Sequence, residues 1–170
     1  MFDNRTHWMT DAEGGNYRVF AIDGSDAQRG DATGENMIER YCTGNFLAGQ
    51  RLIYASASGL PVGRYVFKAV VQKGADGGVI ELFANDDRSP VTSVKVLRET
   101  EVATDVLDQD LTVGVESGLN NACQWVSFAD VALEYQSPYM LLEEAVAASD
   151  TLTYGEDKGC LLYTSDAADD

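Results

Sequence analysis

The chain has 170 residues, with 28 Asp and Glu against 12 Lys and Arg, for a formal net charge of -16. Without a Lys/Arg cluster to release counterions, that surface excludes binding to a nucleic-acid backbone or to anionic lipid. A 45% hydrophobic content over this length suits one ordinary domain with a real core.

No run is apolar enough to insert in a membrane as a helix. Residues 1–8, MFDNRTHW, are polar and do not read as a secretory leader, and Met1 fits an internal methionine as well as a true start. Gly, Asp, Asn and Thr dominate residues 1–36, interrupted by Tyr17–Ile22, which reads as one strand between Gly14-Gly15 and Asp23-Gly24. Asn36–Tyr41 and Gln50–Ala57 are the next candidate strands. After a turn at Leu60-Pro61-Val62-Gly63 comes RYVFKAVVQ, in which Tyr65, Phe67, Ala69 and Val71 alternate with Val66, Lys68, Val70 and Gln72.

Residues 74–78, GADGG, turn the chain into the strand 79–85. A polar loop over Asp86–Pro90 leads to a strand in TSVKVLRE (92–99), followed by LTVGVE (111–116) and QWVSFADVALEY (124–135). In the last, strict alternation places Val131, Leu133 and Tyr135 on one face and Asp130, Ala132 and Glu134 on the other. About eight to ten short strands with turns at roughly ten-residue spacing indicate an all-β, antiparallel sandwich. At Ser137-Pro138 the period changes. Ser suits an N-cap and Pro the first helical position, and Leu141, Leu142, Ala145, Ala148 and Leu152 follow helical spacing.

The end of the chain is expected to be foreign. Residues 160–170, CLLYTSDAADD, read as the translation of a sequencing adapter, which leaves a fragment cut near Gly159. Its three acids, Asp166, Asp169 and Asp170, account for three of the sixteen charges and leave -13. The expected organisation is a sandwich over 1–137, the start of a truncated helical unit or linker over 138–159, and an adapter-derived tail over 160–170 that is disordered and dispensable. Cys160 goes with the tail. Cys42 and Cys123 match no zinc spacing and read as two ordinary buried thiols in preference to a disulfide.

Several phrases in order carry a resemblance: Ile38-Glu39-Arg40-Tyr41, Leu60–Tyr65, Glu81–Asn85, Leu111–Val115, and Trp125–Phe128 leading to Val131–Tyr135. Over about residues 8–136 the chain resembles the galactose-binding-type jelly-roll modules, like carbohydrate-binding modules, of bacterial secreted and surface glycan-handling proteins. The resemblance implies a jelly-roll β-sandwich that binds a polysaccharide or glycan without catalysis. It also implies an extracellular or cell-surface location, and attachment to neighbouring domains of a larger exported protein. The helix expected after residue 137 is similar to the spacers that follow such modules. One departure is Ala129-Asp130, where the family has Asp-Asn after the Phe. A structural cation is therefore not carried over, and no cofactor is expected beyond a minor alternative, calcium on loop carbonyls and one or two acids.

His7 is the only histidine and has no organised partner for a triad. Asp86, Asp87, Asp105, Asp108 and Asp110 supply carboxylates for a glycosidase, but all fall in turns of an acidic chain, where solvated acids are the ordinary outcome. No EF-hand spacing and no phosphate-binding glycine loop is present, so catalytic and metal residues are expected to be none. Tyr65, Phe67, Phe83, Trp125, Phe128 and Tyr135 read as core. Loops at one end of the sandwich are the expected binding edge, with Trp8, Tyr17, Asn85, Asp87, Arg88, Asn120 and Asn121 as the candidate sugar contacts. The alternatives are a structural or adhesion spacer that binds nothing small, and an accessory domain of a glycoside hydrolase whose catalytic part lies outside the fragment.

Overall fold

A computed structural model describes residues 8–9, 17–22, 29–75, 77–119, 122–138, 153–154 and 161–162. Nine strands build the first of two compact units, which runs from Met1 to Pro138. They are β1 (Tyr17–Ala21), β2 (Asn36–Tyr41), β3 (Arg51–Ala57), β4 (Gly63–Lys73), β5 (Ile80–Ala84), β6 (Asp87–Pro90), β7 (Arg98–Val106), β8 (Leu111–Ser117) and β9 (Trp125–Pro138). A five-stranded antiparallel sheet in the order β1-β2-β9-β4-β7 and a four-stranded one in the order β3-β8-β5-β6 form a sandwich. The described residues contain no helix.

Period two explains the core. Tyr65, Phe67, Ala69 and Val71 of β4 point between the sheets, as do Ile80, Leu82 and Ala84 of β5 and Leu111, Val113 and Val115 of β8. Burying each large apolar side chain contributes about 1.5–3 kcal/mol. A smaller cluster of Ile22, Ala32, Met37, Val70, Leu97 and Ala129 lies apart from it. Val70 and Ala129 are register partners on β4 and β9, and neighbour residues of opposite parity on the same strands line the main core. The small cluster therefore sits on the outward side of the five-stranded sheet. Gly30 permits the nearby turn. Its φ is +51°, and a Cβ there would fall 2.0 Å from the carbonyl oxygen of Leu97.

Strict alternation fails along β9. Val70 pairs with Ala129 and Lys68 with Ala132, so Asp130 and Val131 oppose the single residue Ala69. This bulge lets Val126 and Phe128 face the core before it, and Val131 and Leu133 after it. Asp130, at φ 48°, occupies the left-handed region that Asp tolerates better than most residues.

Other sequence expectations are corrected. The loop expected over Asp86–Pro90 holds β6, because Arg88 lies opposite Phe83 and finds partners there. The strand expected over 92–99 begins only at Arg98 and runs to Val106. Earlier in that segment, Val94 makes an isolated bridge to Lys73. Ser137 and Pro138 do not start a helix: they end β9, with Arg64 opposite Ser137 and Gly63 opposite Pro138. Proline is tolerated there because it terminates the ladder. Tyr135, expected in the core, is 46% exposed and lies against Tyr65, ring centroids 5.1 Å apart. Trp125, also expected in the core, is half-buried.

The second unit runs from Tyr139 to Asp170. Within it, β10 (Thr153–Tyr154) pairs antiparallel with β11 (Leu161–Leu162). Thr153 and Tyr154 are strand within the stretch 138–159, where the start of a helical unit or a linker was expected, and Leu161 and Leu162 are paired within the expected adapter-derived tail. The rest of both segments lies outside the described residues.

Candidate functional site

The candidate site is the outward face of the four-stranded sheet. The backbone of Met9 bridges to Tyr54, with Met9 N donating to Tyr54 O at 2.7 Å and Tyr54 N to Met9 O at 3.0 Å. This extends the sheet past β3. Cross-strand register then gives one continuous row: Met9, Tyr54 of β3, Gly114 of β8, Phe83 of β5 and Arg88 of β6. Four strand spacings make that row about 19 Å long, longer than a single sugar ring. On one side runs the parallel row Arg51, Glu116, Glu81 and Pro90. On the other side Ser56 and Thr112 meet, their hydroxyl oxygens 2.9 Å apart.

Gly114 is the floor of this face. A Cβ there would lie 2.2 Å from Ile53 O and 2.7 Å from Tyr54 Cα, so no side chain can stand between Tyr54 and Phe83. Phe83 has no exposed surface, yet it is outside the inter-sheet cluster. Two guanidinium groups cover it: Arg51 at 5.4 Å and Arg88 at 5.2 Å from the ring centroid. Arg51 also lies 5.6 Å from the centre of the Tyr54 ring. Each such contact contributes about 0.5–2 kcal/mol, according to how dry it is.

The two arginines differ in what they hold. Arg88 grips Glu116 with both arms of its fork, Nε on Oε1 and Nη2 on Oε2 at 3.3 Å. Its Nη1 donates to the carbonyls of Asn85 at 2.6 Å and Asp87 at 3.0 Å. Glu116, only 9% exposed, is held by this bidentate pair. Arg51 stands opposite Glu116 in the register, but both carboxylate oxygens are already engaged. Among the described residues Arg51 has no ion pair and no side-chain hydrogen bond.

Of the seven residues singled out from sequence, four have described side chains, and Trp8 lies apart from Asn85, Asp87 and Arg88. Trp8 is in the core, 8% exposed, with its ring edge-on to Phe128 at 5.0 Å and 76°. Strand alternation causes this: Met9 faces outward beside Tyr54, so Trp8 must face inward. Asn85 is spent on the fold. Its Oδ1 accepts from Thr112 N at 2.8 Å and its Nδ2 donates to Asp110 O at 3.1 Å. Asp87 is exposed at the start of β6. Among the described residues of this set, only Arg88 belongs to the face described above. The side chain of Tyr17, and both Asn120 and Asn121, lie outside the described residues.

Arg51, Tyr54, Glu81, Phe83 and Glu116 were not singled out from sequence. A β-bulge at Leu52 puts Arg51 and Tyr54 on one face although they are three positions apart, which alternation would forbid. Glu81 and Phe83 do alternate visibly, but a buried Phe in a strand reads as core. Neither Cys42, half-buried, nor Cys123, buried, is in a disulfide. Burial pushes the Cys42 thiol pKa up. No group of three or more potential metal ligands occurs among the described residues.

No family model matches the chain, and no curated protein matches its sequence. Solved structures do match. The carbohydrate-binding module TmCBM61, in complex with β-1,4-galactotriose, is 17% identical over 76% of this chain and 88% of its own, with a TM-score of 0.54. The CBM22-1 xylan-binding domain from Paenibacillus barcinonensis Xyn10C is 11% identical over 77% of this chain and 86% of its own, at 0.54. A cyclase from Fischerella sp. TAU is 17% identical over 82% and 89%, at 0.58. The chain has a jelly-roll β-sandwich fold that it shares with these carbohydrate-binding modules and with this cyclase.

Proposed function

We propose that this domain is a non-catalytic module that binds a glycan chain across the outward face of its four-stranded sheet. The row Met9–Tyr54–Gly114–Phe83–Arg88 carries the reading. It sets the exposed Met9 and the ring of Tyr54 beside the Gly114 floor on a rigid sheet, with the arginine-covered Phe83 beyond and polar side chains on both flanks. Sugar rings stack on such surface, and hydroxyls take up the flanking donors and acceptors. The shared fold with modules crystallised on, or described as binding, galactan and xylan pieces supports the same reading. The domain then serves as a tether in a larger exported protein, at the cell surface or outside the cell.

A shallow face gains modest net energy, because water competes for every hydroxyl. The expected Kd lies between roughly micromolar and millimolar, corresponding to about 4–8 kcal/mol. Calorimetric titration with β-1,4-galactan and xylan oligosaccharides, within a wider panel of plant, host and microbial polysaccharides, tests it. Tyr54→Ala should weaken binding at least tenfold while melting remains cooperative. A folded sample that binds no glycan in the panel would instead identify a structural spacer.

A further inference from the structure

We infer that the face selects glycans carrying a carboxylate, with Arg51 as the specificity-determining residue; this rests on the glycan-binding reading above. Among the described residues, four charged side chains share the face: Arg51, Arg88, Glu81 and Glu116. Arg88 is fully committed, its Nε and Nη2 to Glu116 and its Nη1 to two backbone carbonyls. Glu116 is neutralised by that pair. Glu81 lies two strands from Arg51 in the same row, with Glu116 between them. Among the described residues Arg51 is thus the cation of the face without a counter-ion, in a chain where acids outnumber bases 28 to 12.

Its position suits recognition. The guanidinium lies over the rings of Tyr54 and Phe83, which hold a cation without consuming its N–H donors. Those donors form a planar fork that matches a carboxylate with two parallel hydrogen bonds. A sugar stacked on the Tyr54 side of the Gly114 floor brings a uronic acid carboxylate within reach. The acidity of the whole molecule repels dense polyanions, so the fitting ligand is a largely neutral chain with isolated uronic acid residues.

The test uses matched pairs: xylo- and β-1,4-galacto-oligosaccharides bearing one uronic acid residue, and the same molecules with that carboxyl reduced to the alcohol. The acid member should bind about tenfold tighter, the scale of one charge-assisted contact. Arg51→Gln should erase the difference between acid and alcohol, whatever it does to the affinity the two share, and Arg51→Lys should retain part of it. Equal affinity for acid and alcohol overturns the inference and leaves glycan binding intact. So does an acid preference that survives in a folded Arg51→Gln protein. Failure of every member to bind overturns both readings together.

Discussion

Asp130 of β9 holds Thr33, 97 positions away in sequence, and Gly34, 96 away. Its carboxylate accepts from the Thr33 amide, from the Thr33 hydroxyl at 3.1 Å and from the Gly34 amide at 3.1 Å. The same residue takes φ 48° inside the bulge that reverses which side of β9 faces the core. One side chain therefore ties the 29–35 segment to the sheet, and its backbone sets the strand's parity.

Those two roles separate by substitution. Asp130→Gly keeps the left-handed backbone and loses the clip; Asp130→Ala loses both. Losing the clip should cost about 1–3 kcal/mol, and alanine about 1–2 kcal/mol more than glycine. Asp130→Asn, with one acceptor left, should be mildest. Urea unfolding ranks the three. Equal losses for glycine and alanine would show that the bulge does not demand a left-handed residue.

Trp8 should behave as a core residue and not as a ligand contact. Trp8→Ala removes a buried ring from Phe128 and should cost about 3–5 kcal/mol. Trp8→Phe should cost clearly less. A near-neutral Trp8→Ala in thermal melts would mean that the segment before β1 does not dock on the sandwich.

Two exposed ion pairs should shape the pH profile at opposite ends. Asp31 accepts from the Glu99 amide at 3.1 Å and from Arg98 at 2.8 Å, which lowers its pKa. A depressed carboxylate stabilises above its unfolded pKa, and this is lost as pH falls through the folded value. Asp31→Asn should therefore flatten the acid limb of Tm against pH. Lys68, 3.0 Å from Glu134 and 4.0 Å from Glu101, has its pKa raised, chiefly by the hydrogen bond to Glu134. Its contribution is full below the unfolded lysine pKa and is lost as pH rises through the folded one, so Lys68→Met should flatten only the alkaline limb. Both effects should be small and weaken with salt.

The strands that were legible in sequence are those where period two is unbroken. Tyr65 to Val71 of β4 alternates cleanly, and its inward residues are those of the expected face; Leu111 to Val115 of β8 is the strand expected there. Legibility ends where a single inserted residue changes parity. Bulges at Leu52 and at Asp130–Val131 each move a face by one position, and pattern carries no mark of them. β6 was hidden because Asp87–Pro90 has turn composition; its place in the sheet comes from the Arg88–Glu116 pair, a contact between residues 28 apart. The candidate face was illegible for the same reason. Arg51, Phe83 and Glu116 meet only through register, and a Phe covered by two arginines looks in sequence like any core Phe.

Gly114 offers the sharpest test of that face. In an ordinary strand, replacing glycine by alanine stabilises by roughly 0.5–1 kcal/mol, because it restricts the unfolded chain. At Gly114 the added methyl would fall 2.2 Å from Ile53 O and 2.8 Å from Tyr54 Cβ, so β3 must move away from β8. Gly114→Ala should therefore destabilise, by about 1–3 kcal/mol, the range for overpacking a tight site. It should also displace Tyr54 and weaken any ligand held against it. Gly44 is the control: a Cβ there meets nothing within 4 Å, so Gly44→Ala should be neutral or slightly stabilising. Denaturant midpoints for the two variants decide the matter. If Gly114→Ala proves as mild as Gly44→Ala, the floor between Tyr54 and Phe83 is open, and the row of side chains across it has no fixed spacing.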